Sequence, residues 1–163
     1  MSHLIDLCPG YQVCRSTGID QALLVKFMQR TYRELFPEES FAHLAKTVEQ
    51  YFSGETPLWW VYRPLDSGLR IPDPVGCLWM GSAVDQVRGD RHAHIFLLYV
   101  APGHRRRGVG SALMRQAEDW AKERGDRQIG LHVFSTNQPA RQLYESLGFA
   151  TQSLWMVKSL DGS

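Results

Sequence analysis

The residues Leu98-Tyr-Val-Ala-Pro-Gly-His-Arg-Arg-Arg-Gly-Val-Gly110 decide how the rest of this chain can fold. The apolar run from His94 to Val100 predicts a buried strand that ends at the following Ala-Pro-Gly. A basic turn comes next, and its two glycines lead into a helical pattern that begins at Ser111. Backbone N–H groups at the start of a helix have no partner within it, and the helix dipole favours an anion there. The stretch therefore predicts a site for a phosphate-bearing ligand.

The 163 residues have the composition of one globular domain, with 44% hydrophobic and 21% charged residues. A formal net charge of +1 gives no general attraction to nucleic acid or to an anionic membrane. No apolar run approaches the roughly 20 residues that span a bilayer, and Met1 to Gly10 lacks the pattern of a secretory signal. The three cysteines show no CxxC spacing. We therefore expect reduced thiols, no metal site and a cytoplasmic location.

Before the opening stretch, the chain predicts a first edge strand, two amphipathic helices and an antiparallel meander. Each helix carries apolar residues at i, i+3, i+4 and i+7. The loop from Glu34 to Ser40 is predicted to help line a substrate cleft, because loops often carry function. The predicted bounds are Tyr11–Arg15 for the edge strand, Ile19–Leu35 for a helix capped by Ser16 or Thr17, a second helix starting at Glu38-Glu39-Ser40, and strands Leu58–Tyr62, Val75–Val84 and one ending at Val100.

After the opening stretch, a helix ending at Gly125 precedes a predicted strand over Ile129–Phe134. A strand, crossover helix and strand almost always form a right-handed parallel unit, so this strand should pair parallel to residues 93–100. Asn137 predicts the cap of another helix, and a last strand is expected over Phe149–Val157. The predicted fold is α/β, with one mixed, mostly antiparallel sheet in a single domain over residues 1–163.

Three phosphate-binding motifs compete for Gly103 to Gly110. The G-x-x-x-x-G spacing is present, but Val109 and Gly110 replace the lysine and hydroxyl of a nucleoside-triphosphate loop. A dinucleotide G-x-G-x-x-G motif lacks its third glycine, since Leu113 stands there, and the acidic residue expected after the next strand is missing. The remaining pattern is R-x-x-G-x-G, formed by Arg105 to Gly110.

At this motif the sequence resembles the GCN5-related N-acetyltransferase (GNAT) superfamily, in which R-x-x-G-x-G follows an "LYV-x-P" strand. A second segment, Asn137-Gln-Pro-Ala-Arg-Gln-Leu-Tyr-Glu-Ser-Leu-Gly-Phe149, is similar to the family's N-x-x-A-x-x-L-Y-x-x-x-G-F. The resemblance covers Ile19 to Val157. It implies the acyl-CoA N-acyltransferase fold, with splayed central strands, and acetyl-CoA as co-substrate.

The resemblance also implies which residues contact acetyl-CoA. The N–H groups of the turn would wrap the pyrophosphate. The pantetheine arm would lie beside the end of the central strand, whose main chain would hold the acetyl carbonyl. The implied cofactor-binding residues are Leu98, Tyr99, Val100, Arg105, Arg106, Arg107, Gly108, Val109, Gly110, Ser111, Asn137 and Tyr144.

Two of these residues also have a purely structural interpretation. Asn137 is a plain helix cap by its position, which does not exclude a contact with the CoA arm. Tyr144 falls on an apolar stripe with Leu143 and Leu147, so that periodicity alone predicts simple packing. By resemblance, Tyr144 is the general acid that protonates the departing thiolate.

The general base is less clear, because this chain departs from a common family pattern. Many members carry a carboxylate in the middle of the central strand, where Phe96 and Leu97 stand here. His94 lies two residues before Phe96, on the same strand face, and an imidazole can accept a proton directly or through water. His94 is therefore a candidate base, although a strand histidine is more often structural. His132, Asp85 and unaided solvent remain alternatives.

We therefore expect an N-acetyltransferase that transfers the acetyl group to a primary amine by direct attack in a ternary complex. The alternative is a non-catalytic module that binds or senses acetyl-CoA, motivated by the missing strand carboxylate. Neither a metal nor a nucleic-acid partner is expected, and a homodimer is compatible with the sequence. Trp59, Trp60, Trp79 and Trp155 predict mostly sheet and core positions. The acceptor amine is left open.

Overall fold

The computed structural model describes residues 3–16, 21–53, 55–64 and 73–162. The chain divides into two compact units, residues 1–132 and 133–163. Within the described residues, the first unit contains a six-stranded sheet and three α-helices, and the second contains one α-helix. The predicted Thr17 cap, the predicted helix start at Ile19 and the connection over residues 65–72 lie outside the described residues. A single domain over residues 1–163 stays a prediction.

The sheet confirms the predicted fold class. Its strands follow one another in spatial order, antiparallel from the first to the fifth, and the sixth is parallel to the fifth. The strands are β1 Ile5–Cys8, β2 Tyr11–Arg15, β3 Leu58–Tyr62, β4 Gly76–Val84, β5 Arg91–Val100 and β6 Ile129–Leu131. The prediction of Tyr11–Arg15 as an edge strand is wrong, because the unpredicted β1 pairs with its outer side.

The helices are α1 Gln21–Leu35, α2 Leu44–Tyr51, α3 Val109–Glu123 and α4 Gln138–Ser146. The predicted start of the second helix at Glu38-Glu39-Ser40 is wrong. The N–H of Glu39 instead donates to the carbonyl of Phe36 at 3.2 Å in a turn, and Phe41 is buried at 8% exposure. Burial of Phe41 in the core outweighs extension of the helix towards Glu38. α2 therefore begins at Leu44 and has no acidic residue in its first turn.

The main core lies where α1 and α2 cover one face of the sheet. Burial of each large apolar side chain contributes on the order of 2 kcal/mol. The members of this core include Leu24, Phe27, Met28, Phe41, Leu44, Val48, Trp60, Cys77, Trp79, Leu97 and Tyr99. Complete burial raises the pKa of the Cys77 thiol well above its ordinary value.

Two strand predictions near the end of the chain are wrong. Pairing between β5 and β6 covers Ala93 to Ile95 only, and β6 ends at Leu131 instead of Phe134. Residues 149–159 form no strand. Leu154 to Val157 are four consecutive apolar residues rather than an alternating pattern, so the sequence specifies no buried face. Trp155, predicted among the sheet and core tryptophans, is 88% exposed. Among the described residues, the helices are too short or too polar to cross a membrane.

Candidate active site

The turn after β5 presents free backbone N–H groups. Arg106 and Gly108 both adopt left-handed conformations, with φ of 64° and 83°, which curls the backbone so that successive N–H groups converge. α3 begins directly afterwards, and no side chain caps its N-terminus. None of the N–H groups from Arg106 to Ser111 donates a hydrogen bond to another described residue. N–H groups of this kind, together with the helix dipole, favour an anion.

Arg105 joins the end of β5 to the end of α1. Its Nε donates to the carbonyl of Val100 at 2.8 Å, and one terminal nitrogen donates to both carboxylate oxygens of Glu34 at 2.9 and 2.7 Å. The guanidinium also lies 5.8 Å from the centre of the Tyr99 ring. Glu34, at the start of the predicted cleft loop, thus orients a residue of the turn. The predicted contact of Arg105 with a phosphate stays a prediction.

A second group of residues beside the turn escaped the sequence analysis. The hydroxyl of Tyr11, a residue only 2% exposed, lies 3.0 Å from Nδ1 of His104 and accepts hydrogen bonds from Arg63 at 3.3 Å and Arg107 at 3.5 Å. Burial and the two arginines lower the pKa of His104. In the described ranges, no carboxylate forms an ion pair with Arg63 or Arg107. This side of the turn therefore carries positive charge that a bound anion could neutralise.

His94 lies in a cluster of imidazoles in the first half of β5. Its ring centre is 5.0 Å from that of His132 and 6.3 Å from that of His92. Burial, followed by these two neighbours, lowers the pKa of His94 to about 4. Its Nδ1 is buried without a hydrogen-bond partner. His94 is therefore neutral near pH 7 and can accept a proton, but it binds that proton weakly.

Phe96 and Leu97 stand in the middle of β5, where the resemblance led us to look for a carboxylate. The prediction that His94 and Phe96 share a strand face is confirmed, since their ring centres are 5.6 Å apart. Asp85, a weaker candidate base, is buried and accepts hydrogen bonds from the N–H groups of Val87 and Arg88. Its carboxylate thus stabilises the turn between β4 and β5.

The second unit holds Asn137 and Tyr144. The side-chain oxygen of Asn137 accepts from the N–H of Ala140 at 3.4 Å, so the predicted cap of α4 is confirmed. The Tyr144 ring packs against Phe149 with centres 5.8 Å apart, beyond the left-handed Gly148 that follows the helix. Burial raises the pKa of Tyr144 to about 12. Its phenol is therefore protonated at neutral pH, the state that a general acid requires.

The described part of the chain contains no group of three or more His, Cys, Asp or Glu side chains that could hold a metal ion.

Comparison with known proteins identifies a matching family, several relatives in sequence and many solved structures with a similar fold. The profile of the acetyltransferase (GNAT) family matches residues 23–149. The streptothricin acetyltransferase of Streptomyces lavendulae is 51% identical over 51 residues, which are 31% of this chain and 27% of that protein. The uncharacterized N-acetyltransferase YycN of Bacillus subtilis is 33% identical over 92 residues, 56% of this chain and 58% of that protein. The matched region thus spans less than two thirds of either relative.

Solved structures extend the likeness in fold over nearly the whole chain. A GCN5-related N-acetyltransferase from Ralstonia eutropha superposes with a TM-score of 0.68 at 24% identity, covering 94% of this chain and 100% of that one. The aminoglycoside 6'-N-acetyltransferase of Acinetobacter baumannii has a TM-score of 0.63 at 19% identity, covering 93% and 99% of the two chains. At these identities the likeness shows a common fold.

Proposed function

The chain belongs to the acetyltransferase (GNAT) family, and we propose that it transfers the acetyl group of acetyl-CoA to a primary amine of a small molecule or protein. The observation that carries the proposal is the row of unpaired N–H groups from Arg106 to Ser111 at the start of α3. Acetyl-CoA is a substrate in this proposal, and no metal takes part. A cytoplasmic location belongs to the same proposal, in keeping with the reduced thiols that the sequence predicts.

The turn residues would bind the pyrophosphate of CoA. The N–H groups of Arg106, Arg107, Gly108, Val109, Gly110 and Ser111 would donate to its oxygens, as expected where left-handed residues precede a helix. Gly108 has no atom within 4 Å of the place where a Cβ would stand, so the backbone there is open to a ligand. Arg107, with Arg63 beside it, would add positive charge.

The second half of β5 would position the acetyl group. In the described residues, β6 pairs with β5 only as far as Ile95, and β5 continues for five more residues to Val100. The main chain at Leu98, Tyr99 and Val100 would bind the pantetheine arm as a neighbouring strand does. An N–H group at this end would donate to the acetyl oxygen, where negative charge develops as the amine attacks. Asn137 would contact the arm through its amide nitrogen.

Two side chains would handle protons. The amine nitrogen forms a bond to the acetyl carbon, and the bond from that carbon to sulfur breaks. Tyr144 would donate its phenolic proton to the departing sulfur, which is supported by a pKa of about 12 that keeps the phenol protonated. His94 would accept the proton lost by the amine, directly or through water, as the neutral imidazole that its pKa of about 4 ensures.

One observation favours the alternative of a module that binds acetyl-CoA without turnover. A base with a pKa of about 4 holds a proton weakly, and no carboxylate replaces it at Phe96. Solvent would then have to remove the amine proton.

The decisive experiment measures two quantities on the purified chain. Titration calorimetry gives the Kd for CoA, and release of free thiol from acetyl-CoA gives turnover over a panel of amines. Binding together with thiol release from at least one amine supports the acetyltransferase. Binding without release from any amine favours the sensing module, and failure to bind CoA would contradict both.

A further inference from the structure

The middle of β5 carries an aromatic cluster, formed by Tyr51, Trp79, His94 and Phe96. The Phe96 ring lies at its centre, with ring centres 4.8 Å from Trp79, 5.6 Å from His94 and 6.0 Å from Tyr51. Phe96 is only partly buried and Tyr51 is 51% exposed. The cluster therefore has faces that a bound molecule can reach.

A bulge in the sheet directs Phe96 into this cluster. Trp79 pairs with Leu97 and Met80 pairs with Ile95, so Phe96 has no partner on β4. Such an extra residue bends the strand and changes the direction of its side chain, and bulges of this kind are common next to active sites. Gly81 is equally necessary, because a Cβ at that position would overlap the Phe96 ring. The backbone of two strands is thus arranged around one partly buried aromatic ring.

In the described part of the chain, the histidines beside the cluster have no carboxylate partner. The groups that act on His94 are its burial, His132 and His92, with no carboxylate among them. No ion pair or hydrogen bond joins a carboxylate to any of these three histidines. An acceptor with several ammonium groups would have to lose water from each of them here without an opposite charge in return.

The cluster lies close to the position proposed for acetyl transfer. Leu98 and Val100 are two and four residues beyond Phe96, which places them about 7 to 13 Å away along an extended strand. An amine attacking near Leu98 would therefore bring its attached group next to Phe96. This step rests on the proposed acetyltransferase activity.

We infer that the aromatic cluster is the acceptor-binding wall and that it selects monoamines attached to an aromatic ring over polyamines and amino sugars. The accessible rings of Phe96 and Tyr51, with the buried Trp79 behind them, offer stacking and edge contacts to an aromatic acceptor. The same rings attract a single ammonium group through their electron-rich faces before it loses its proton.

The test compares kcat/KM for three amines with acetyl-CoA: phenethylamine, butylamine and spermidine. Phenethylamine should exceed both others by about tenfold or more, the factor that corresponds to about 1.4 kcal/mol of aromatic contact. Equal or better use of spermidine or butylamine would overturn the inference while leaving the acetyltransferase intact. No thiol release from any of a broad amine panel would instead overturn the proposed activity, and this inference with it.

Two variants locate the preference on the cluster. Phe96→Leu keeps an apolar side chain at the bulge but removes the ring, and should lower the ratio of phenethylamine to butylamine turnover about fivefold or more. Tyr51→Ala changes a half-exposed residue, and should lower the same ratio even if the Phe96 variant folds poorly. Val87→Ala, an 82% exposed position in the turn between β4 and β5, is the control and should change nothing. A ratio that stays constant in both cluster variants would overturn the inference.

Discussion

The end of β5 and the middle of the same strand differ in charge and in the kind of group that they offer. After Val100, the turn presents backbone N–H groups and the side chains of three consecutive arginines. Around Phe96, the strand offers aromatic rings and a neutral imidazole without a described carboxylate partner. A region suited to an anion and a region suited to an uncharged ring therefore lie about 10 Å apart along one strand.

Under the proposed function, the two substrates would be recognised by different means. A pyrophosphate is common to every acyl-CoA and would be bound by main-chain N–H groups. An acceptor would be recognised by side chains, which can change without altering the turn. Variants at the two places should therefore separate effects on CoA affinity from effects on catalysis and acceptor choice.

The largest effect is expected from Tyr144→Phe, which removes the proposed acid but keeps the ring against Phe149. We expect kcat to fall about 100-fold, as general-acid catalysis typically contributes 10²–10⁴-fold, with an unchanged Kd for CoA. Thiol-release kinetics and calorimetry measure the two quantities, and thermal melting controls for folding. A kcat within a few-fold of the original would assign Tyr144 to packing alone.

A second pair of variants tests the turn itself. Gly108→Ala and Gly125→Ala both place a side chain at a left-handed position, φ 83° and 80°, with no atom within 4 Å of the new Cβ. Each should lose about 1–2 kcal/mol of folding stability. Only Gly108→Ala, which alters the direction of the N–H groups, should also weaken CoA binding, by about tenfold. Equal CoA affinity in the two variants would contradict a site built from these N–H groups.

A smaller effect is expected from changing Arg105 or Glu34, whose side chains join the end of β5 to the end of α1. The Arg105–Glu34 pair is partly exposed, with side-chain exposures of 43% and 38%, so its direct contribution to stability is only about 0–1 kcal/mol. If Arg105 acts by holding the Val100 carbonyl, Glu34→Gln and Arg105→Ala should both lower kcat/KM a few-fold. If Arg105 binds phosphate directly, Glu34→Gln should leave the Kd for CoA unchanged or improve it. Calorimetry on both variants distinguishes the two roles.

The smallest effect is a dependence of stability on pH. The pKa of His94 is about 4 in the folded chain and about 6.5 in the unfolded chain. Between these two pH values, the unfolded chain therefore binds a proton that the folded chain does not. The contribution of His94 to stability is therefore complete above pH 6.5 and lost as the pH falls towards 4. It is on the order of 1–3 kcal/mol. His94→Gln should flatten the fall of Tm between pH 7 and 4. An unchanged slope would contradict this pKa.

Local signals in the sequence predicted much of this fold. Asn137, Pro139 and Gly148 delimit α4 because caps and terminators act within one turn of chain. Gly125 ends α3 in the same way. The prediction for the start of α2 failed because the burial of Phe41, a tertiary effect, competed with local preference. β1 was missed because four residues of mixed character, Ile5 to Cys8, carry almost no periodic signal.

The candidate site likewise has one part that the sequence predicted and one part that it did not. The sequence from Leu98 to Ser111 contains the whole of the turn, so its motif could be found without coordinates. Tyr11 contacts His104, which is 93 positions away in the sequence, and Glu34 contacts Arg105, which is 71 positions away. Contacts of that kind leave no spacing pattern in one sequence. The short run from Tyr11 to Arg15 predicted a strand, but not which residues would contact the Tyr11 hydroxyl.

The overlap that a side chain at Gly81 would cause with Phe96 also limits how this protein can evolve. Any residue larger than glycine at position 81 would force the Phe96 ring out of its present place, so the substitution is easier once that ring has been lost. A descendant that replaced Phe96 first would gain space and lose the proposed aromatic selectivity at once. Changes of acceptor in this lineage are thus expected to begin at Phe96, and restoring the ring in its present place is easiest with glycine at position 81.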